Sequence, residues 1–160
     1  MNTNGHELFK AFHHIKKSSM GRIHTCLMKD LKPHEFFMLK TLKKMYEEDQ
    51  KEAQTNNLPA APGVKISQLS RETAISMPGV SQTISTLEKH GYVKRIASNK
   101  DRRLVYVNLT DVGRQLEIDV SQSVFQLYDE AAAILGEKDT HALVLLLDKL
   151  AQVFDQIDQK

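Results

Sequence analysis

Residues 65–113 read KISQLSRETAISMPGVSQTISTLEKHGYVKRIASNKDRRLVYVNLTDVG, and the order of the structural signals in this stretch decides the architecture. Helical patterns are expected over residues 66–74 and 78–90, with a tight turn between them. Two strands follow at residues 92–97 and 104–109, joined by a polar turn. Helix, turn, helix and hairpin in this order predict a winged helix-turn-helix, whose second helix enters the DNA major groove.

The predicted second helix has an apolar side and a polar side. Val80, Ile84 and Leu87 recur at helical spacing and should pack onto the first helix, and Ser76 is a favourable N-cap. The polar side offers amide and hydroxyl groups with few charges, so it can approach base edges closely. The residues expected to face DNA on this helix are Pro78, Gly79, Ser81, Gln82, Ser85, Thr86 and Lys89. A plain amphipathic helix has the same pattern, so this helix alone does not establish DNA binding.

The turn of the predicted hairpin concentrates cations. It contains Ser98, Lys100, Asp101, Arg102 and Arg103. An arginine at a protruding tip can enter a narrow minor groove, where the negative potential is strongest. Asp101 lies two residues before Arg103 and can hold its guanidinium through a charge-assisted hydrogen bond. Next to a helix-turn-helix, such a tip favours DNA contact over a merely solvated turn.

Several positions in this stretch follow a pattern known from one protein family. They are residues 69–91, then Val93, Arg95 and Ser98, then Asp101-x-Arg103, and finally Val107-x-Leu109-Thr110-x-x-Gly113. Together they resemble the MarR family of bacterial transcription regulators. The resemblance implies a homodimer that binds a roughly palindromic operator, usually as a repressor released by a ligand. It also assigns the minor-groove contact to Arg103 and the support of that contact to Asp101.

Charge is unevenly distributed along the chain, although the net charge is only +2. Residues 64–110 contain eight Lys or Arg and three Asp or Glu, which gives +5. Residues 111–160 contain four Lys or Arg and ten Asp or Glu, which gives −6. The basic middle is the footprint expected for contact with phosphates of double-stranded DNA, and the acidic end should face away from DNA.

Length and composition restrict the class of protein. The 160 residues fit one domain or two small lobes, and 41% hydrophobic with 26% charged residues predicts a globular protein. No apolar run is long enough to span a membrane and no signal-peptide pattern is present, so a cytoplasmic protein without a membrane partner is expected. A single cysteine agrees with a reducing compartment.

Helical patterns also flank the winged region. A helix is expected over residues 6–30, and a second begins at Pro33 and ends near residue 48. Residues 49–63 include two prolines and no periodicity, which predicts a long flexible loop. After the wing, Thr110 should cap a helix that ends near residue 135, and a last helix is expected over residues 139–157.

The apolar stripes of the first and last helices are broad for a chain of this size, which predicts that they pair with a second copy. The expected fold is mainly α with a small β-hairpin wing. In this division, residues 33–110 form the winged helix-turn-helix DNA-binding domain, and residues 1–32 and 111–160 form the helical dimerisation region. A monomeric helical lobe is the alternative.

Patterns that would indicate catalysis are missing from the sequence. There is no Gly-x-Ser-x-Gly motif and no glycine-rich phosphate loop, so neither an enzyme nor a cofactor is expected. Two other functions stay open: a redox- or metal-responsive sensor that uses Cys26 or nearby histidines, and a winged-helix module that binds protein. Residues 111–135 contain no His or Cys, which weakens the metal hypothesis, because zinc-sensing MarR relatives take ligands from that helix.

A small lipophilic or phenolic effector is the remaining predicted partner. The side chains that could form an adaptable apolar pocket for it are Met20, Met28, Met38 and Met45 with Phe36 and Phe37. Ordinary core packing explains the same residues equally well, so this pocket is drawn mainly from the family resemblance.

Overall fold

The structure is a computed structural model of the 160-residue chain, and it describes residues 3–27, 31–98 and 104–158. Its helices are α1 (Thr3–Cys26), α2 (Pro33–Thr55), α3 (Ile66–Thr73), α4 (Met77–Lys89), α5 (Asp111–Leu135) and α6 (Glu137–Asp158). Its strands are β1 (Val64–Lys65), β2 (Val93–Ala97) and β3 (Val105–Leu109). The chain divides into two compact units, Met1–Ser121 and Gln122–Lys160. The predicted fold class, mainly α with a winged helix-turn-helix, is confirmed.

The sheet of the first unit has three antiparallel strands in the order β1-β3-β2. The hairpin of β2 and β3 pairs Val93 with Leu109 and Ala97 with Val105, as the sequence predicts for a wing. β1 adds a third strand through the pairing of Val64 with Val107. This strand was not predicted, because two residues are too few to show a period-two pattern.

The predicted beginning of the 49–63 loop is wrong, because α2 continues to Thr55. Residues 49–55 read DQKEAQT, which contains good helix formers and neither glycine nor proline. The helix ends where Asn57 takes a left-handed conformation and the Leu58 N–H donates to the Ala53 carbonyl over 2.9 Å. The linker between α2 and β1 is therefore about half as long as the sequence suggested.

The end of this linker is fastened to the sheet and to α2. The Gln50 side chain donates to the Ala61 carbonyl over 3.0 Å, and the buried Asn108 amide donates to the Pro62 carbonyl over 2.9 Å. A Cβ on Gly63 would lie 2.4 Å from the Val107 carbonyl oxygen, so only glycine fits this close approach. Flexibility of the linker remains a prediction for its exposed residues 56–60.

The core of the first unit lies where α2, α4, α5 and the sheet meet. Its fully or almost fully buried side chains include Phe36, Leu39 and Leu42 from α2, Val80, Ile84 and Leu87 from α4, and Leu116 and Val120 from α5. The apolar stripe predicted for the second helix is thus confirmed. Burial of each such side chain stabilises the fold by about 1.5–3 kcal/mol before the cost in conformational entropy.

The segment Thr110-x-x-Gly113 joins the sheet to α5. The Thr110 hydroxyl accepts the Gly113 N–H over 3.1 Å, as predicted for a cap, and donates to the Gly91 carbonyl over 2.6 Å. A Cβ on Gly113 would lie 1.9 Å from the Tyr92 carbonyl oxygen. The glycine is therefore required because the first turn of α5 passes directly over the start of the hairpin.

A partly buried ion pair also connects α2 to the start of α5. The Lys43 ammonium lies 2.5 Å from Glu117, whose other carboxylate oxygen accepts the Ser121 hydroxyl over 2.7 Å. Glu117 is almost fully buried, so these partners replace the water that it loses on folding.

The helices at both ends of the chain expose apolar side chains. On α1, Ile23 is buried but Leu8, Phe12 and Ile15 are exposed. In the second unit, the exposed apolar residues of α6 include Leu143, Leu146, Leu147, Phe154 and Ile157, and Ile134 at the end of α5 is 88% exposed. These stripes were predicted from the sequence, and their apolar faces are left uncovered within the described chain.

Candidate nucleic-acid interface

Helix α4 begins at a defined N-cap and presents one polar face. The Ser76 hydroxyl accepts the Gly79 N–H over 3.4 Å, and proline occupies the first turn. Pro78, Gln82, Ser85 and Lys89 are exposed and form what we call the outer face of α4. Gly79, Ser81 and Thr86 are half-buried beside it. All seven residues predicted on this helix therefore lie on or next to its solvent-facing side.

The hydroxyl groups around the outer face are already engaged within the helix. The Ser85 hydroxyl donates to the Ser81 carbonyl over 2.8 Å, and the Thr86 hydroxyl donates to the Gln82 carbonyl over 3.2 Å. Their hydrogens are thus occupied, and each oxygen can only accept a further hydrogen bond. In this conformation the two oxygens are placed to accept hydrogen bonds rather than to donate them, and their contact with DNA stays a prediction.

Arg95 of β2 and Glu88 of α4 form a contact that the sequence analysis did not assign to the site. The Arg95 guanidinium is ion-paired with Glu88, and its Nη2 donates to the Ser85 hydroxyl over 2.9 Å and to the Ser81 carbonyl over 3.3 Å. The backbone N–H of Arg95 donates to the second Glu88 oxygen over 3.1 Å. The sequence signal for this pair is two opposite charges seven residues apart across the Gly91 turn, at positions that also belong to the family resemblance.

The base of the wing is described, but its tip is not. The Ser98 N–H donates to the Leu104 carbonyl over 3.0 Å, which closes the hairpin beyond the last strand pair. Lys94 is exposed on β2, and the Lys65 ammonium lies 6.0 Å from the centre of the Tyr106 ring. The predicted site residues Lys100, Asp101, Arg102 and Arg103 lie outside the described residues, so their roles stay predictions.

An open cavity of about 480 Å³ lies between α1, α2 and the α3–α4 turn. It is lined by Met20, Pro33, His34, Phe37, Met38, Thr41, Thr73 and Ile75. Met20, Phe37 and Met38 were predicted for such a pocket. Phe36 is instead part of the core, Met45 does not line this cavity, and Met28 lies outside the described residues.

The sensor alternatives gain little support from the part of the chain that the structure describes. Within it, no three His, Cys, Asp or Glu side chains are grouped closely enough to hold a metal ion. Cys26, at the end of α1, is half-buried. Among the helices of the described residues, none is both long enough and apolar enough to cross a bilayer.

A helix-turn-helix followed by a β-hairpin, with a polar outer face on the second helix, defines the winged helix-turn-helix class. Residues 56–104 match the model of the MarR family. The chain therefore has a winged helix-turn-helix fold, and this part of it is similar to the MarR family.

Three named relatives are similar over about half of the chain. The HTH-type transcriptional regulator FarR of Neisseria gonorrhoeae is 31% identical over 90 residues, which is 56% of this chain and 62% of FarR. YwhA and YwaE of Bacillus subtilis, both HTH-type transcriptional regulators, are 26% and 33% identical over 87 residues, which cover 63% and 49% of those proteins. The matches therefore span less than two thirds of these relatives. All three relatives are transcriptional regulators by name and not enzymes, in agreement with the sequence-based expectation.

Solved structures of low sequence identity have the same fold. MarR of Staphylococcus aureus in complex with salicylate and kanamycin has a TM-score of 0.76 and 16% identity, covering 97% of this chain and 95% of that one. A mutant MarR of E. coli complexed with operator DNA has a TM-score of 0.71 and 19% identity, and the match covers 90% of this chain and 93% of that one. FabT of Streptococcus pneumoniae in complex with DNA has a TM-score of 0.70 and 21% identity, covering 96% of both chains.

Proposed function

We propose that this protein is a sequence-specific DNA-binding transcriptional regulator, which acts as a homodimeric, ligand-responsive repressor on a palindromic operator. The observation that supports this function best is the outer face of α4, which is exposed and carries Gln82 between small side chains and Lys89 near its end. Lys94 follows a few residues later in the sequence. Such a face can enter the major groove without a steric or like-charge obstacle. A DNA target also agrees with the predicted cytoplasmic location.

Each predicted contact has a distinct role in this proposal. Gln82 reads a base edge, because its amide can donate to and accept from adenine together. Ser81, Ser85 and Thr86, with Pro78 and Gly79, line the major groove. The proposed wing contacts are Arg103 in the minor groove, Asp101 as its support, Lys100 and Arg102 near phosphates, and Ser98 at the base.

The relatives support a regulatory role of this kind. FarR, YwhA and YwaE are named as transcriptional regulators, and the E. coli MarR mutant and FabT have been solved with DNA. The repressor activity and the palindromic operator belong to this proposal, and they follow the family resemblance together with the two-fold symmetry expected of a homodimer.

A homodimer is supported by the exposed apolar side chains of α1 and of α6. Leu146 and Ile157 are both at least 60% exposed, and they share a helix with further exposed leucines and a phenylalanine. Contiguous apolar surface of this kind is costly in water and marks an interface. We propose that a second copy of the chain covers it.

The cavity beside α2 supports a small organic effector. Its walls combine methionine, phenylalanine and isoleucine side chains with the hydroxyls of Thr41 and Thr73 and the imidazole of His34. A lipophilic body carrying one or two polar groups would suit this lining. The salicylate complex of the S. aureus MarR shows that a protein of this fold accepts a phenolic compound.

Binding to the DNA fragment upstream of the protein's own gene tests this function. The titration is repeated over a range of salt concentrations, with a random duplex as the reference. We expect tight, salt-sensitive binding to the upstream fragment, and release by salicylate rather than by zinc or peroxide. Release by zinc or peroxide would instead establish a metal- or thiol-responsive sensor.

Arg103→Ala separates the wing contribution from general charge. We expect at least a roughly tenfold loss of operator affinity, equivalent to about 1.4 kcal/mol, with unchanged thermal unfolding. Lys138→Ala, at an exposed position of α6, removes the same charge and should leave affinity unchanged. Equal binding by Arg103→Ala and the wild type would remove Arg103 from the interface. No preference of the wild type for any operator candidate would favour a protein-binding module.

A further inference from the structure

Glu88 binds two different groups of one residue on the wing. One carboxylate oxygen accepts the backbone N–H of Arg95 over 3.1 Å, and the other is ion-paired with the Arg95 guanidinium. β2 is an edge strand, since the sheet order places β3 on only one side of it. On the side of β2 that faces away from β3, the Glu88 carboxylate therefore accepts a backbone N–H that has no neighbouring strand to bond to within the described sheet.

The same guanidinium continues the contact onto α4. Its Nη2 donates to the Ser85 hydroxyl over 2.9 Å and to the Ser81 carbonyl over 3.3 Å. Ser85 lies on the outer face of α4, and Ser81 lies beside it. Arg95 therefore links the wing strand to two residues at the proposed major-groove contact.

The environment of this pair favours a fixed geometry. The side chains of Arg95 and Glu88 are 28% and 38% exposed, so the pair is partly shielded from water. A planar guanidinium that makes several charge-assisted hydrogen bonds loses less conformational freedom per bond than a single flexible contact. The carboxylate also neutralises Arg95, which leaves this arginine less suited to attract a phosphate.

We propose that Glu88 and Arg95 are positioning residues, which set the orientation of the wing relative to the outer face of α4 so that both elements meet DNA together. This inference rests on the proposed DNA-binding function. In this arrangement, loss of either side chain lets β2 move relative to α4. DNA binding must then fix the wing in place, and the conformational entropy lost in doing so lowers the affinity.

A direct phosphate contact by Arg95 makes the opposite prediction for Glu88. If Arg95 bound phosphate, Glu88 would compete for the guanidinium, and its removal would strengthen DNA binding. If the pair positions the wing, removal of Glu88 weakens binding although it removes a negative charge near DNA. The sign of the effect at Glu88 therefore distinguishes the two roles.

Operator binding is measured for Glu88→Ala, Arg95→Ala and the double variant, at several salt concentrations. We expect about a tenfold loss in each single variant and no further loss in the double variant, because both remove one shared interaction. The salt slope should stay unchanged, whereas loss of a phosphate contact lowers it by about one. Glu72→Ala, an exposed acid of α3, is the matched control and should change affinity less than twofold.

The milder variant Glu88→Gln keeps the test valid should Glu88→Ala unfold. Equal or tighter binding by Glu88→Gln would overturn the proposal, as would additive losses with a reduced salt slope.

Hydrogen exchange of the Arg95 amide in the free protein supplies a second readout. It should be faster in Glu88→Ala, and an unchanged rate would overturn the positioning role even if the wild type bound no DNA. Absence of operator binding by the wild type would instead contradict the proposed function.

Discussion

Gln82 is an exposed amide on the outer face of α4, while the hydroxyls near it are held by the helix. We therefore expect Gln82→Ala to change the ranking of operator variants by about 1–3 kcal/mol at one base pair, while the salt slope stays constant. Competition binding with a set of single-base operator variants measures this change.

Lys89→Ala is the control for Gln82 because it removes a charge from the same outer face. It should weaken binding to all operator variants equally and lower the salt slope by about one. An unchanged ranking in Gln82→Ala would remove Gln82 from base recognition. A changed ranking in Lys89→Ala would mean that the lysine contacts a base rather than a phosphate.

At the residue scale, sequence patterns predicted which side chains of α4 are exposed but not what those side chains contact. Helical periodicity alone places Val80, Ile84 and Leu87 on the buried side of α4, and the residues on the opposite side are then exposed. The contact of Ser85 with Arg95 depends on how β2 packs against α4. This packing is a tertiary feature, so the sequence gives only the residue types and their separation.

Among the structural elements, the turn from the hairpin into α5 is the most sensitive to a single added methyl group. Gly113→Ala would place a Cβ 1.9 Å from the Tyr92 carbonyl oxygen, which is backbone and cannot rotate away. We expect a loss of stability of about 1–3 kcal/mol or more, measured by chemical denaturation.

Gly21→Ala in α1 provides the matched comparison. No atom lies within 4 Å of the added Cβ, and alanine is the better helix former, so stability should stay equal or rise by up to about 1 kcal/mol. Equal stability of Gly113→Ala and the wild type would show that the backbone at Tyr92 shifts easily and that the glycine has another role.

Long amphipathic helices were predictable at the element scale, whereas short or polar segments were not. The helices after the wing follow clear spacings of three and four, and α5 ends at residue 135 as expected. The final turns of α2 are polar on all sides, so no periodicity separates them from a loop. β1 is recognisable only through its pairing with β3, since its two residues show no pattern of their own.

At the scale of the molecule, the charge and the apolar surface indicate different partners. The basic residues 64–110 coincide with the winged region, whereas the acidic residues 111–160 contain the exposed apolar stripe of α6. Both features were visible in the sequence. Pairing with a second copy was predicted from the apolar stripes and stays a prediction, because a single chain shows which surface is uncovered but not which molecule covers it.

Leu146→Glu tests whether a second copy of the chain covers α6. Leu146 is 65% exposed, so a glutamate at this position should leave the fold of the single chain intact while it places a charge in the proposed interface. We expect monomers in sedimentation analysis at micromolar concentration. DNA affinity should fall by at least about a hundredfold, since one winged domain then binds one half-site without the benefit of a second linked contact.

Gln152→Glu is the control for Leu146→Glu, because it adds the same charge at an exposed position of α6 that is polar already. It should sediment like the wild type and bind the operator with unchanged affinity. A wild-type protein that is itself monomeric would contradict the dimer directly. A dimeric Leu146→Glu variant would move the interface away from this part of α6, and α1 would then be the next helix to test. Monomers that keep full operator affinity would show that one winged domain suffices for binding, so that the two-fold operator would no longer be required.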